Sequence, residues 1–128
     1  MIYLDSSVAL AHLLAEDRSP PAEIWGEPLI SSRLLEYEVW NQVHARGLTW
    51  SHSDVTRALV RRLAFVELNP PVLARALEPF PMRVRTLDAL HLASIEFLRS
   101  RGLPIEFFSY DERLVAAARA LHIPFYEP

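Results

Sequence analysis

Short apolar runs alternate with helix-length segments from one end of the chain to the other, and two of the runs lead into an aspartate. Ile2 to Leu4 ends at Asp5, and Ile105 to Ser109 is followed closely by Asp111. Strands that alternate with helices predict an α/β fold: a mostly parallel central sheet with helices on both faces. In such sheets ligands gather outside the carboxyl ends of the strands. Both aspartates fall there.

The intervening segments carry their own punctuation. Ser6 or Ser7 is placed to cap a helix bearing Val8, Leu10, Leu13 and Leu14. Pro20 and Pro21 open a helical turn that reaches Trp25, and Pro28 to Ser31 predicts a second strand. A helix from Arg33 to Arg46 stops at Gly47, and another starts at Ser51 or Ser53 and runs through Arg62. Phe65 to Leu68 reads as a third strand or an extended link, and Pro71 to Glu78 as a short helix. Thr86 caps the clearest helix, LDALHLASIEFLRSR, whose Arg99 and Arg101 suit the negative end of the helix dipole. Glu112 to Leu121 predicts a last helix and Ile123 to Tyr126 a last strand. Nothing suggests a repeat, a linker or low complexity, so the expectation is one domain over residues 1–128.

Composition removes whole classes of chemistry. The chain has no cysteine, which excludes disulfides, thiol nucleophiles and cysteine-ligated zinc or iron–sulfur clusters. All 13 basic residues are arginine, so Schiff-base and P-loop lysine mechanisms are excluded too. The net charge, 13 − 16 = −3, argues against holding nucleic acid by bulk electrostatics alone. The N-terminus lacks the basic start of a signal peptide, and no apolar run approaches the roughly 18 residues of a spanning helix. A soluble, cytoplasmic protein without membrane association is the expectation.

Asp5 lies in an apolar context where an unpaired carboxylate is unfavourable. Asp111 repeats its placement, and Asp88 lies in the first turn of the Thr86 helix. Taken singly, Asp5 or Asp88 reads as helix-start electrostatics and Asp111 as a cap. Taken together they are harder to dismiss. Two carboxylates about 4 Å apart repel by roughly 4 kcal/mol at an effective dielectric near 20. With no lysine to compensate, a hard divalent cation is the simplest partner, and carboxylate ligands select Mg²⁺ or Mn²⁺ over zinc. Such a site can activate water and stabilise an in-line displacement at phosphorus.

At this point the sequence resembles a known family, the PIN domain, and within it the VapC-type toxin ribonucleases of toxin–antitoxin pairs. MIYLDSSVAL is similar to the family's first strand and first catalytic aspartate, and ISSRLLEYEVWNQVHARG to its serine-led, glutamate-bearing helix. LDALHLASIEFLRSRG resembles the third acidic segment, and FFSYDERLVAAARALHIPFYEP the last acidic segment, helix and closing strand. The resemblance implies a PIN-like three-layer fold and a metal site built on Asp5, Glu38, Asp88 and Asp111. Asp5 and Asp88 would be direct ligands, and Asp111 would act directly or through water. Ser6 and Ser109 match flanking polar positions with an orienting role, although a helix cap and a strand-end residue read equally well there.

Glu38 competes with Glu36. At roughly 100° per residue the two point about 200° apart, and both faces of the helix are partly apolar. Periodicity leaves the choice open, and the E-V step of the family pattern favours Glu38. Asp88 and His91 form D-x-x-H, but the resemblance gives His91 no ligand role, and it reads as a helix-packing histidine. Tyr37, Trp40 and His44 share one side of their helix and read as core, with a dimer or antitoxin contact as the second reading. Arg83 and Arg85, just ahead of Asp88, are candidates to neutralise substrate phosphates.

The expected function is a Mg²⁺-dependent endoribonuclease toxin, with Mn²⁺ as a substitute, that hydrolyses RNA phosphodiester bonds. A cognate antitoxin protein and a homodimer are implied by the resemblance. The alternative is a catalytically degenerate domain of the same fold that binds protein or RNA. Aspartate-phosphorylating folds share the strand-end aspartate but need a lysine, and the phosphatases among them want D-x-D where this chain has Asp5-Ser6-Ser7. Setting the four site acids aside leaves 16 − 4 = 12 acids against 13 arginines, a slightly basic remainder.

Overall fold

The computed structural model describes residues 1–128. In chain order its elements are β1 (Ile2–Leu4), α1 (Ser6–Leu13), a 3₁₀ turn (Ala22–Gly26), β2 (Leu29–Ser32), α2 (Leu34–Ala45) and α3 (Thr49–Arg62). They continue as β3 (Ala64–Val66), α4 (Pro70–Ala76), α5 (Thr86–Ser100), β4 (Glu106–Phe108) and α6 (Glu112–Ala120). The four strands pair in parallel in the order β3-β2-β1-β4. The α/β architecture expected from the alternation of strands and helices is the one observed.

Strand alternation divides the core into two layers. Ile2 and Leu4 of β1 point to one side, where with Leu29 they meet Val8, Leu35, Val39 and Leu59 from α1, α2 and α3. Tyr3 points to the other, where with Ile30, Val66 and Phe107 it meets Val72, Leu92, Ile95 and Leu114 from α4, α5 and α6. β1 is thus covered on both faces and flanked by strands on both edges. Whatever follows it in sequence emerges at the centre of the sheet's carboxyl end.

Several boundaries differ from expectation for identifiable reasons. α5 starts at Thr86, with Arg85 in the capping position and no side-chain cap bond. α3 begins at Thr49, ahead of Ser51 and Ser53, because the turn after α2 delivers the chain directly into it. In that turn Gly47 has φ +69°, its N–H donates to the His44 carbonyl, and the Leu48 N–H donates to the Val43 carbonyl. This is the paired closure that a left-handed residue permits. The expected strand Ile123 to Tyr126 reduces to a single bridge, Phe107 to Phe125. Pro124 has no N–H with which to extend a ladder.

The aromatic side of α2 is also corrected. Tyr37 is 68% exposed and His44 is exposed, while the helix buries Leu35, Val39 and Val43 instead. Tyr37, Trp40 and His44 line a shallow surface groove, and of the three only the partly buried Trp40 packs against the core. No helix is long and apolar enough to cross a membrane.

Candidate active site

Asp5 leaves the end of β1 and is only 3% exposed. It occupies the capping position of α1 but makes no cap bond, because its oxygens are turned to two hydroxyls. Ser7 Oγ donates to Asp5 Oδ1 at 2.6 Å, and Ser109 Oγ, arriving from the end of β4, donates to Oδ2 at 2.8 Å. Ser7 Oγ also accepts the Tyr110 N–H, and Ser109 Oγ accepts the Asp111 N–H. Two adjoining strand ends are therefore tied together through one carboxylate.

The hydroxyl at Asp5 is that of Ser7, a correction to the expectation for Ser6. With α1 starting right after Asp5, it is the second helical residue that turns back to the carboxylate. Ser109 stands beside Asp5, its hydroxyl on Oδ2. Replacing Ser7 by alanine removes a bond to a buried carboxylate and strands the Tyr110 N–H. We expect the variant to lose about 1–3 kcal/mol, read by urea unfolding.

Burial pushes the Asp5 carboxyl up to about 6, against the pull of the two serine hydroxyls and the His91 ring, and the neighbouring Glu38 charge adds to the rise. Asp88, half-buried in the first turn of α5, is also raised, first by burial and then by the Asp111 charge. Asp111 caps α6, its Oδ1 accepting the N–H groups of Arg113 and Leu114. The helix-cap reading of Asp111 is therefore realised, and the cap uses only one of its two oxygens.

Glu38 and Glu36 part company. Glu36 lies 3.4 Å from the Arg33 guanidinium, which also pairs with Glu67 at 2.8 Å. Glu38 turns the other way and meets His91 Nε2 at 2.7 Å. Arg83 and Arg85 are exposed on the approach to α5, lining a groove with Phe80 and Met82, and the Arg85 charge reaches Asp88. The structure thus brings Asp5, Glu38, Asp88 and Asp111 to one end of the sheet, with Arg85 at its margin.

No three of these acidic and histidine groups close on a single point as they stand. The donor chemistry nonetheless fits a hard cation: Asp5, Asp88 and Asp111 form no ion pair with any arginine. The charges of Asp88 and Asp111 repel each other across the gap.

Three participants lie outside what the sequence signals. Ser7 reads there only as a cap. His91 reads as packing, and at 2% exposure it is indeed buried, but both its ring nitrogens are hydrogen bonded. Tyr110 carries the Arg18 guanidinium over its ring at 5.6 Å and lines, with Ser109 and Arg119, a surface groove beside Asp111. Its place between Ser109 and Asp111 is its one signal in the sequence.

Comparison with known proteins gives a consistent result. The PIN domain family model matches residues 2–120. The chain is 30% identical over 126 residues to Ribonuclease VapC47 of Mycobacterium tuberculosis (strain CDC 1551 / Oshkosh), covering 93% of this chain and 90% of that protein. It is 31% identical over 124 residues to Ribonuclease VapC46 of Mycobacterium tuberculosis (strain ATCC 25618 / H37Rv), covering 94% and 92%.

Proposed function

Because the chain belongs to the PIN-domain family, we propose that it is a divalent-metal-dependent endoribonuclease, the toxin of a toxin–antitoxin pair. The observation that carries this reading is Asp5: a carboxylate buried at the end of the central strand, within range of the Glu38 charge, with no arginine paired to it. A fold does not keep such a group for stability, since an unpaired buried charge works against folding. The two ribonuclease relatives support RNA as the substrate.

In this reading Asp5, Asp88 and Asp111 hold Mg²⁺, with Mn²⁺ able to substitute. The cation supplies water activation and charge neutralisation at the scissile phosphate. Ser7 and Ser109 fix the direction of the Asp5 carboxylate through Oδ1 and Oδ2. Glu38 offers the oxygen that His91 does not occupy to orient the attacking water and accept its proton. Arg83 and Arg85 neutralise flanking phosphates. A small antitoxin covering the acidic end, a homodimer and a cytoplasmic location belong to the same reading.

The test incubates the purified protein with structured RNA in chelator, Mg²⁺ or Mn²⁺, alongside Asp5→Asn. Cleavage is expected only with metal, and only by the wild type. Equal cutting by both proteins would mark a contaminant and leave a binding module of the same fold as the better description.

A further inference from the structure

We propose that His91 is the positioning residue of Glu38, and that Tyr3 in turn fixes His91. The three side chains form a line from the buried Tyr3 of β1 through the buried His91 of α5 to the partly exposed Glu38 of α2. Tyr3 Oη lies 2.8 Å from His91 Nδ1, and His91 Nε2 lies 2.7 Å from Glu38 Oε1. Tyr3 Oη also accepts the Ser32 N–H at 3.1 Å. The inference rests on the reading of Glu38 as a member of the cleavage site.

Donors and acceptors fix the polarity of the line. An ionised carboxylate only accepts, so the proton between His91 and Glu38 belongs to Nε2. A neutral imidazole then has Nδ1 free to accept, and the Tyr3 hydroxyl, whose oxygen already accepts from Ser32, has its proton to give. Burial keeps that hydroxyl protonated far above the ordinary tyrosine range.

Packing removes the alternatives. The Tyr3 and His91 rings meet edge to face at 5.9 Å, and Phe107 meets the Tyr3 ring edge to face at 6.0 Å. Neither ring has room to turn, and each is essentially out of water. Glu38, by contrast, sits on the rim of α2, partly exposed, where a free glutamate would sample several rotamers. The Nε2–H bond selects one of them, within range for the Glu38 charge to register at Asp5.

A group that acts through another should lower turnover more than substrate affinity. His91→Leu is expected to lower kcat about 10–100-fold with KM little changed, and Tyr3→Phe to fall between it and the wild type. His91→Gln, whose amide N–H can take the place of Nε2–H, should recover most of the loss. In a Glu38→Ala background His91→Leu should cost nothing further. Gln no better than Leu, or an equal loss with and without Glu38, would show a merely structural histidine and overturn the proposal.

A second readout does not depend on activity. ¹⁵N-edited NMR of the histidine rings should show His91 as the Nε2–H form, with a slowly exchanging proton that disappears or shifts in Glu38→Ala. An Nδ1–H form, or an Nε2 signal indifferent to Glu38, overturns the assignment whether or not the protein cuts RNA. Absence of metal-dependent cutting with the expected NMR signature would instead refute the proposed function and leave the buried line in place.

Discussion

Asp5→Asn is expected to do two things at once: to lower RNA cleavage by on the order of 100–1000-fold, and to make the metal-free protein more stable at pH 8. The second effect follows from the linkage between ionisation and folding. The buried carboxyl holds its proton up to about pH 6, against 3.8 for an ordinary aspartate. Between those values the folded chain retains a proton that the unfolded chain has released, so stability falls as pH rises through this window and levels off above it. A tenfold change in proton affinity corresponds to about 1.4 kcal/mol, so keeping this carboxylate ionised costs the fold about 3 kcal/mol.

Asparagine has the same shape, stays neutral, and can still accept from Ser7. A gain of about 1–3 kcal/mol is therefore expected above pH 7 in chelator, or roughly 4 °C in Tm for each kcal/mol. Below pH 4 the wild type and the variant should melt together. If Asp5 is a ligand as proposed, added Mn²⁺ should raise the Tm of the wild type more than that of the variant. Equal melting temperatures at pH 8 without metal would show that Asp5 does not destabilise the fold.

The paired substitutions in α2 carry the other large effect. Glu38→Ala is expected to lower cleavage on the order of 100-fold, while Glu36→Ala stays within about threefold of the wild type. Glu36 is engaged with Arg33 at the surface, a contact worth less than about 1 kcal/mol. Its loss should leave both activity and thermal stability close to native. Initial rates on one RNA at saturating Mn²⁺ separate the two. If Glu36→Ala alone abolished cleavage, the opposite side of α2 would be the one that serves the site.

Local signals carry far in this chain. The run Ile2–Leu4 ending at Asp5, the stop at Gly47 and the long amphipathic segment of α5 are each short-range features, and each lies where its chemistry predicts. What stays out of reach depends on partners distant in sequence. Glu36 and Glu38 cannot be ranked by periodicity because both faces of α2 are partly apolar; Arg33 and His91 separate them, and His91 is 53 residues away. His91 itself bonds Tyr3 across 88 residues, so D-x-x-H alone cannot reveal its role. Ser6 and Ser7 are neighbours whose faces swap with a one-residue change in where α1 begins. The exposed Tyr37 shows the opposite failure: an aromatic in a helix reads as core, yet the core is already filled by Leu35, Val39 and Val43.

The reduction of the last expected strand to one bridge has a consequence for solution behaviour. Phe107 donates its N–H to the Pro124 carbonyl and accepts the Tyr126 N–H, so the outward-facing groups of this β4 residue are taken by the chain's own terminal segment. Pro124 leaves that segment poorly suited to recruit a further strand in its turn. The C-terminal residues act as a selvedge on the sheet, a finished border that guards this margin against edge-to-edge aggregation.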